Sequence, residues 1–178
     1  EAMLAEKGIQ ASFFAHASAG CLHINPMVNP KTVDGLATMR EISEAVMALA
    51  MKYDGTTTGE HGEGFARSIY NEQLYGERLH TAFRQVKGIF DERNTMHPGK
   101  IIDAPAPWDA SVMRLSPESV TPYAPSTAFF DFSVDGGFTG MVEMCNGLGA
   151  CRKTDAGVMC PSYMATRDEA HSTRGRAT

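Results

Sequence analysis

Three of the chain's six histidines lie in two short segments of small residues that could bind a metal ion. His16 and His23 belong to the segment HASAGCLHINP, and Glu60 and His61 belong to GEHGEG. Imidazole nitrogen and carboxylate oxygen are ligands that Zn²⁺ and similar divalent ions accept, and a catalytic site uses three protein ligands and leaves one position open. His16, His23 and Glu60 would supply such a set.

His61, the neighbour of the third candidate ligand, is a candidate general base. Imidazole titrates near neutral pH and can take a proton from a hydroxyl group that a metal has polarised. Glycines at positions 59, 62 and 64 would let a substrate or cofactor approach the backbone closely. The spacing alone leaves two alternatives open: hydrogen-bonded core histidines, and a Glu-His pair in a surface turn.

A second group of candidate ligands is formed by three of the four cysteines, Cys145, Cys151 and Cys160. Four cysteines are too few for a disulfide scaffold, and their clustering favours a metal or iron–sulfur site. The run Cys145-x5-Cys151-x8-Cys160-Pro ends like the bacterial ferredoxin motif C-x2-C-x2-C-x3-C-P. Leu148 stands where that motif has its second cysteine, so the segment cannot complete a four-cysteine site alone. The alternative is three reduced cysteines in a glycine loop.

The segments around the histidines predict the elements that would position them. Residues 9–15 and 21–25 are rich in apolar residues and predict two strands joined by a small-residue turn. His16, at the end of the first strand, could therefore meet His23 in the second. Period-two alternation places Asn25 on the same strand face as His23.

The remainder of the first hundred residues predicts helices packed on a sheet. An apolar stripe predicts a helix over residues 33–53, and TTTGEHGEG predicts a short strand that runs into a glycine-rich loop. Residues 76–90 predict a second helix, with Leu79, Phe83, Val86 and Phe90 on one face. This order of elements indicates the α+β class.

Composition limits the class of protein. The chain has 178 residues, 43% of them hydrophobic, which is typical of a globular protein, and its net charge of −5 gives no reason to expect nucleic acid as a partner. No apolar run is long enough to predict a transmembrane segment. The start at Glu1 and the stop at Thr178 within a helix-like stretch lead us to expect an internal fragment of a longer protein.

The C-terminal third predicts a change of organisation. Five prolines between residues 104 and 127 predict a connector and not a packed element. The segment FFDFSVDGGF predicts a brief return to order. In HSTRGRAT, Ser172 or Thr173 would cap the start of a helix.

HASAGCLHINP, GEHGEG and FRQVKGIFDERNTMHPGKI together resemble the C-terminal part of FAD-linked oxidases. This family includes the D-lactate, glycolate and D-2-hydroxyglutarate dehydrogenases and is related in fold to vanillyl-alcohol oxidase. Order and spacing match over residues 9–103. The resemblance implies a divalent ion, expected to be Zn²⁺, beside the flavin, with His61 as the base and Asn25 as a substrate contact. The residues matching the metal ligands are His16, His23 and Glu60.

The same resemblance implies FAD contacts by His97 and Lys100, although the chain departs from the family pattern near both segments. His97 stands where members usually have Asn before Pro-Gly-Lys. Cys21 stands where many members have Asn, and Ala-Ser-Ala replaces the commoner Gly-Asp.

Residues 138–178 are similar to the iron–sulfur segment that follows the FAD-oxidase domain in fused dehydrogenases. The similarity implies a 4Fe-4S cluster whose remaining ligands lie beyond Thr178, with Cys145, Cys151 and Cys160 as ligands. The expected organisation is therefore an oxidase domain part over 1–103, a linker over 104–137 and the start of a helical, ferredoxin-type domain over 138–178.

These features lead to one main functional hypothesis: FAD-dependent oxidation of a D-2-hydroxy acid to the 2-oxo acid, with electrons passed to an iron–sulfur cluster. The expected partners are a small hydroxy acid and an electron acceptor, either a quinone or an electron-transfer protein. We expect a cytoplasmic location, extending at most to the inner face of the membrane. One alternative is a colourless, non-redox metal hydrolase with a zinc knuckle. The other is an electron-transfer or assembly subunit with a vestigial flavin site.

Overall fold

The structure is a computed structural model that describes residues 1–119, 129–157 and 159–177. The chain forms two compact units, Glu1–Ser119 and Val120–Thr178. Helices and a small antiparallel sheet make up the first unit, which agrees with the predicted mixture of both element types. Among the residues described, no helix combines the length and apolar character needed to cross a membrane.

A two-stranded antiparallel hairpin is the sheet of the first unit. Strand β1 spans Ala11–His16 and strand β2 spans Cys21–Pro26, close to the predicted bounds. A 3-10 turn joins them and ends at Gly20, whose φ of 64° lies in the left-handed region that glycine adopts without strain. His16 lies opposite Cys21 in the register, which sets this pair at the closed end of the hairpin.

One helix precedes this hairpin and a longer one follows it. Helix α1 spans Ala2–Glu6 and was not predicted. Helix α2 spans Val33–Lys52, within one residue of the predicted helix, and begins at Thr32, whose hydroxyl accepts a hydrogen bond from Gly35 N at 3.0 Å. The buried residues on this helix are Ile42 and Met47, whereas Leu49 is 52% exposed.

The glycine-rich segment after α2 contains no strand, so that prediction is wrong. Thr58 N donates to Thr56 Oγ1 at 3.3 Å, a local side-chain contact that competes with strand pairing. The chain then forms a short helix α3 at Gly64–Arg67 and a 3-10 turn at Ser68–Tyr70. The threonine run has β propensity, but it pairs with no other strand.

Helix α4 spans Asn71–Phe90 and therefore begins five residues before the predicted helix. The chain breaks helical geometry at Gly76, where φ is 78° and ψ is 159°. The side chains buried on α4 are polar, namely Asn71 and His80. The predicted apolar face is mostly exposed, at Leu79, Val86 and Phe90.

The second unit is built from three short helices: α5 at Gly137–Glu143, α6 at Pro161–Thr166 and α7 at Thr173–Ala177. Ser172 Oγ accepts a hydrogen bond from Gly175 N at 2.9 Å, which confirms the predicted cap of the last helix. Residues 104–119 form turns without helix or strand. The rest of the predicted connector, up to residue 127, lies outside the described residues.

Candidate metal centre

Three imidazoles meet on one carboxylate oxygen. Glu60 Oε1 lies 3.3 Å from His16 Nε2, 2.9 Å from His23 Nε2 and 3.2 Å from His61 Nε2. The ring centroids of His16 and His23 are 5.0 Å apart, and those of His23 and His61 are 5.7 Å apart. The structure thus brings together all four residues that the sequence nominated for metal binding and proton transfer.

The hairpin and the glycine loop each supply half of this cluster. The register pairs Phe14 with His23 and His16 with Cys21, so these side chains share one face of the hairpin. The loop brings Glu60 to that face by a close approach of Gly59. A Cβ at Gly59 would lie 3.0 Å from Cys21 Sγ, so a side chain at this position would require Cys21 to shift.

The donor set fits a divalent metal ion. The ligand atoms of His16, His23 and Glu60 lie within 4.8 Å of one another, and within the described ranges no other group of three such donors meets this condition. Two imidazoles and one carboxylate match the three-ligand pattern of catalytic zinc sites, which keep a position open. The side chains of His16 and Glu60 are 57% and 41% exposed, so one side of the cluster is accessible.

The electrostatics of the cluster keep the carboxylate charged. Desolvation acts to raise the pKa of Glu60, but the positive charge available on His16, His61 and His23 outweighs it and holds that pKa below its usual range. Glu60 is therefore ionised at neutral pH and able to bind a cation.

Cys21 is a neighbour of the cluster that the sequence analysis did not place there. Its Sγ lies 4.0 Å from Glu60 Oε1. Period-two alternation along β2 puts Cys21 on the same face as His23, and this signal could have identified it.

Three further residues that the sequence analysis proposed for the site are not members of the three-ligand group. Asn25 is an exposed residue on the hairpin face that carries His23. Lys100 Nζ lies 5.0 Å from the ring centroid of Phe65, in α3, directly after the glycine loop. His97 is exposed and has a positive φ of 46°. The roles of all three stay predictions.

The tail cysteines do not form a complete ligand set. Cys145, Cys151 and Cys160 are half-buried and form no disulfide within the described residues. None of them joins a group of three metal-binding donors among the residues that the structure describes. Cys160 Sγ instead accepts a hydrogen bond from Thr173 N at 3.1 Å. The tail therefore supplies three of the four thiolates that a four-iron cluster takes.

Comparison with known proteins places this chain in a family. The family described as "FAD linked oxidases, C-terminal domain" matches residues 1–101, which include the hairpin, the glycine loop and Lys100. The chain belongs to the FAD-linked oxidase family. The match therefore covers the whole candidate metal centre of this oxidase-family chain and ends before residues 104–119.

Several relatives of this FAD-linked oxidase chain are similar to it over nearly its whole length, including the residues after 101. It is 37% identical to the D-2-hydroxyglutarate dehydrogenase of Escherichia coli and 38% identical to that of Pseudomonas putida, in each case over 99% of the chain and 17% of the relative. It is 32% identical over 54% of its length to the D-lactate dehydrogenase of Archaeoglobus fulgidus, 21% of which is covered. The chain thus spans about a sixth of the D-2-hydroxyglutarate dehydrogenases. No solved structure matches it.

Proposed function

We propose that this chain is part of a longer FAD-dependent dehydrogenase that oxidises a D-2-hydroxy acid to the 2-oxo acid. The observation that carries the proposal is the convergence of His16, His23, Glu60 and His61 in a chain of the FAD-linked oxidase family. The names of its relatives, D-2-hydroxyglutarate and D-lactate dehydrogenase, support the substrate class.

The metal centre would bind and activate the substrate's hydroxyl end. His16, His23 and Glu60 would hold a divalent ion such as Zn²⁺, and the exposed side of the cluster leaves room for a chelating substrate. Such an ion lowers the pKa of a bound hydroxyl, and a flavin accepts the hydride from the adjacent carbon. Asn25, on the same hairpin face, would orient the hydroxy acid by hydrogen bonds.

His61 would remove the hydroxyl proton. Its imidazole faces Glu60 Oε1 at 3.2 Å, so it stands beside the ligand set without belonging to the group of three ligands. A neutral imidazole in that place accepts a proton on a ring nitrogen as the carbonyl of the product forms. His97 and Lys100 would contact the flavin from the loop after α4.

We also propose that the tail serves onward electron transfer. Cys145, Cys151 and Cys160 would be ligands of a 4Fe-4S cluster, with further ligands from outside this chain, because thiolates are the usual ligands of such clusters. The 99% coverage by single-chain relatives supports a tail that works with the oxidase part of the same protein. The final acceptor would be a quinone or an electron-transfer protein.

The visible absorption spectrum of the complete protein tests the proposed function. We expect flavin bands that bleach under anaerobic conditions when D-2-hydroxyglutarate, D-lactate or glycolate is added. The L enantiomers of the two chiral acids are the matched controls and should leave the bands unchanged. A colourless protein, or flavin that none of these acids reduces, would contradict the proposal.

A further inference from the structure

Backbone strain is concentrated in the loop after α4. Seven non-glycine residues in the described ranges have positive φ, and four of them lie between positions 94 and 103. The most unusual is Ile101, with φ of 69°, because a β-branched side chain rarely tolerates this region. Such a conformation is strained and persists only where surrounding contacts impose it.

Two buried side chains impose it. Ile101 N donates to Ser68 Oγ at 3.0 Å, and Asn71 Nδ2 donates to Ile101 O at 2.8 Å. Ser68 is 4% exposed and Asn71 is 1% exposed. Both backbone polar groups of the strained residue are therefore held by side chains that are themselves fixed by burial.

The Asn71 side chain that binds Ile101 O has an unsatisfied polar atom of its own. Its Oδ1 is buried and has no hydrogen-bond partner within the described residues. A buried, unpaired acceptor loses its hydrogen bond to water without gaining another. Strain at Ile101 and an unpaired oxygen at Asn71 therefore coincide, and such features cluster at functional sites.

The same contacts join the strained loop to the glycine loop of the metal centre. Ser68 Oγ donates to Gly64 O at 2.6 Å while it accepts from Ile101 N, so a single hydroxyl connects the two backbones. Phe65 follows Gly64 in sequence, and its ring lies 5.0 Å from the ammonium group of Lys100. The segment that carries Lys100 is thus fixed relative to the segment that carries His61.

We propose that Ser68 and Asn71 are positioning residues, which hold Lys100 through the Ile101 peptide so that its positive charge meets an anionic group at the site served by His61. The anionic group is either the reduced flavin or the carboxylate of the hydroxy acid. This inference rests on the proposed function and assigns roles to two residues outside the ligand cluster. A fixed ammonium group stabilises negative charge more strongly than a mobile, solvated one.

A double-mutant cycle in the complete protein tests the proposal. Ser68→Ala should shift the flavin midpoint potential to a more negative value if the anion is the reduced flavin. It should raise KM for the hydroxy acid about fivefold, the equivalent of one lost hydrogen bond, if the anion is the substrate. In a Lys100→Gln background the same substitution should have no further effect on either quantity, because Ser68 acts through Lys100.

Three further variants make the cycle decisive. Ser116→Ala is the matched control, since it removes a similarly buried serine hydroxyl that lies 3.3 Å from Ser119 Oγ, and it should change neither quantity. Ser68→Thr keeps a hydroxyl and should restore the wild-type values. Asn71→Ser, which cannot reach Ile101 O, replaces Ser68→Ala in the cycle if that protein does not fold.

The inference is overturned if potential and KM stay at wild-type values in the folded variants, or if they change equally with and without Lys100. A complete wild-type protein that holds flavin and is reduced by a hydroxy acid would in that case leave the proposed function intact. A wild-type protein without flavin would overturn the proposed function itself, and the inference with it.

Discussion

His23 and Glu60 face each other across the gap between the hairpin and the glycine loop, with Nε2 2.9 Å from Oε1. This contact is the shortest of the three that imidazoles make to that oxygen. It joins two segments that are far apart in sequence, and a metal ion bound there would link them in the same way. The first prediction tests this relationship directly.

His23→Ala and Glu60→Gln should each remove the metal from the complete protein. Either change deletes a ligand, so affinity should fall by more than the about 10–100-fold typical for loss of an outer-shell partner. The measurement is metal analysis after dialysis. Glu63→Gln is the control, because Glu63 lies in the same loop but accepts from Tyr75 OH at 3.3 Å. Full metal content in His23→Ala would refute the ligand assignment.

His61→Asn should separate proton transfer from metal binding. The variant should keep metal and flavin, since His61 is outside the three-ligand group. Flavin reduction by the hydroxy acid should slow by about 10²–10⁴-fold, the usual contribution of a general base. Rapid mixing under anaerobic conditions measures this rate. A variant that reduces its flavin at the wild-type rate would exclude His61 as the base.

The local elements of the site could be predicted because they depend on short-range patterns. The strand pair around His16 and His23 and the helix that starts after Thr32 follow from alternation, an apolar stripe and a cap. Alternation places Cys21 on the face of His23, but the approach of Glu60 to that face could not be predicted from it, because the approach depends on how a loop without regular structure returns to the hairpin.

The start of α4 and the hydrogen bonds of Ser68 and Asn71 to Ile101 show a second limit of prediction from the sequence. Helical geometry breaks at Gly76, where the predicted helix begins, and the stretch from Asn71 to that break was not predicted. Ser68 and Asn71 are buried by tertiary contacts that a residue pattern does not contain. Their role became visible only when the hydrogen bonds to Ile101 were known.

Serine substitutions should show that the tail cysteines bind iron and that Cys21 does not. We expect Cys145→Ser, Cys151→Ser and Cys160→Ser to lower the iron content of the complete protein and to slow electron delivery to an external acceptor. Flavin reduction by the substrate should survive, because that step takes place at the histidine site. Iron analysis beside rapid-mixing kinetics measures both effects.

Cys21→Ser is the matched control for these variants and should retain its iron, because Cys21 lies against Glu60 in the metal centre. Unchanged iron in all three tail variants would contradict the cluster assignment. Loss of iron from Cys21→Ser would indicate a different ligand set.

Two helical glycines should respond in opposite ways to alanine. A Cβ at Gly35 would lie 1.9 Å from Asn29 O, so Gly35→Ala must displace the start of α2 and lower thermal stability. At Gly88, in α4, a Cβ would meet no described atom within 4 Å, so Gly88→Ala should be neutral or stabilising by up to about 1 kcal/mol. Thermal unfolding of the complete protein compares them. Equal melting temperatures for the two variants would show that the close approach at Gly35 is relieved without cost.

The central claim is that the metal centre of His16, His23 and Glu60 takes part in hydroxy-acid oxidation by the flavin. Its most direct test is the rate of anaerobic flavin reduction in the complete protein as isolated, after metal removal by a chelator, and after Zn²⁺ is restored. A Lewis acid contributes several kcal/mol to such a step, so removal should slow reduction by about 10²-fold or more, and Zn²⁺ should restore it. An undiminished rate in protein shown by analysis to lack metal would contradict the account.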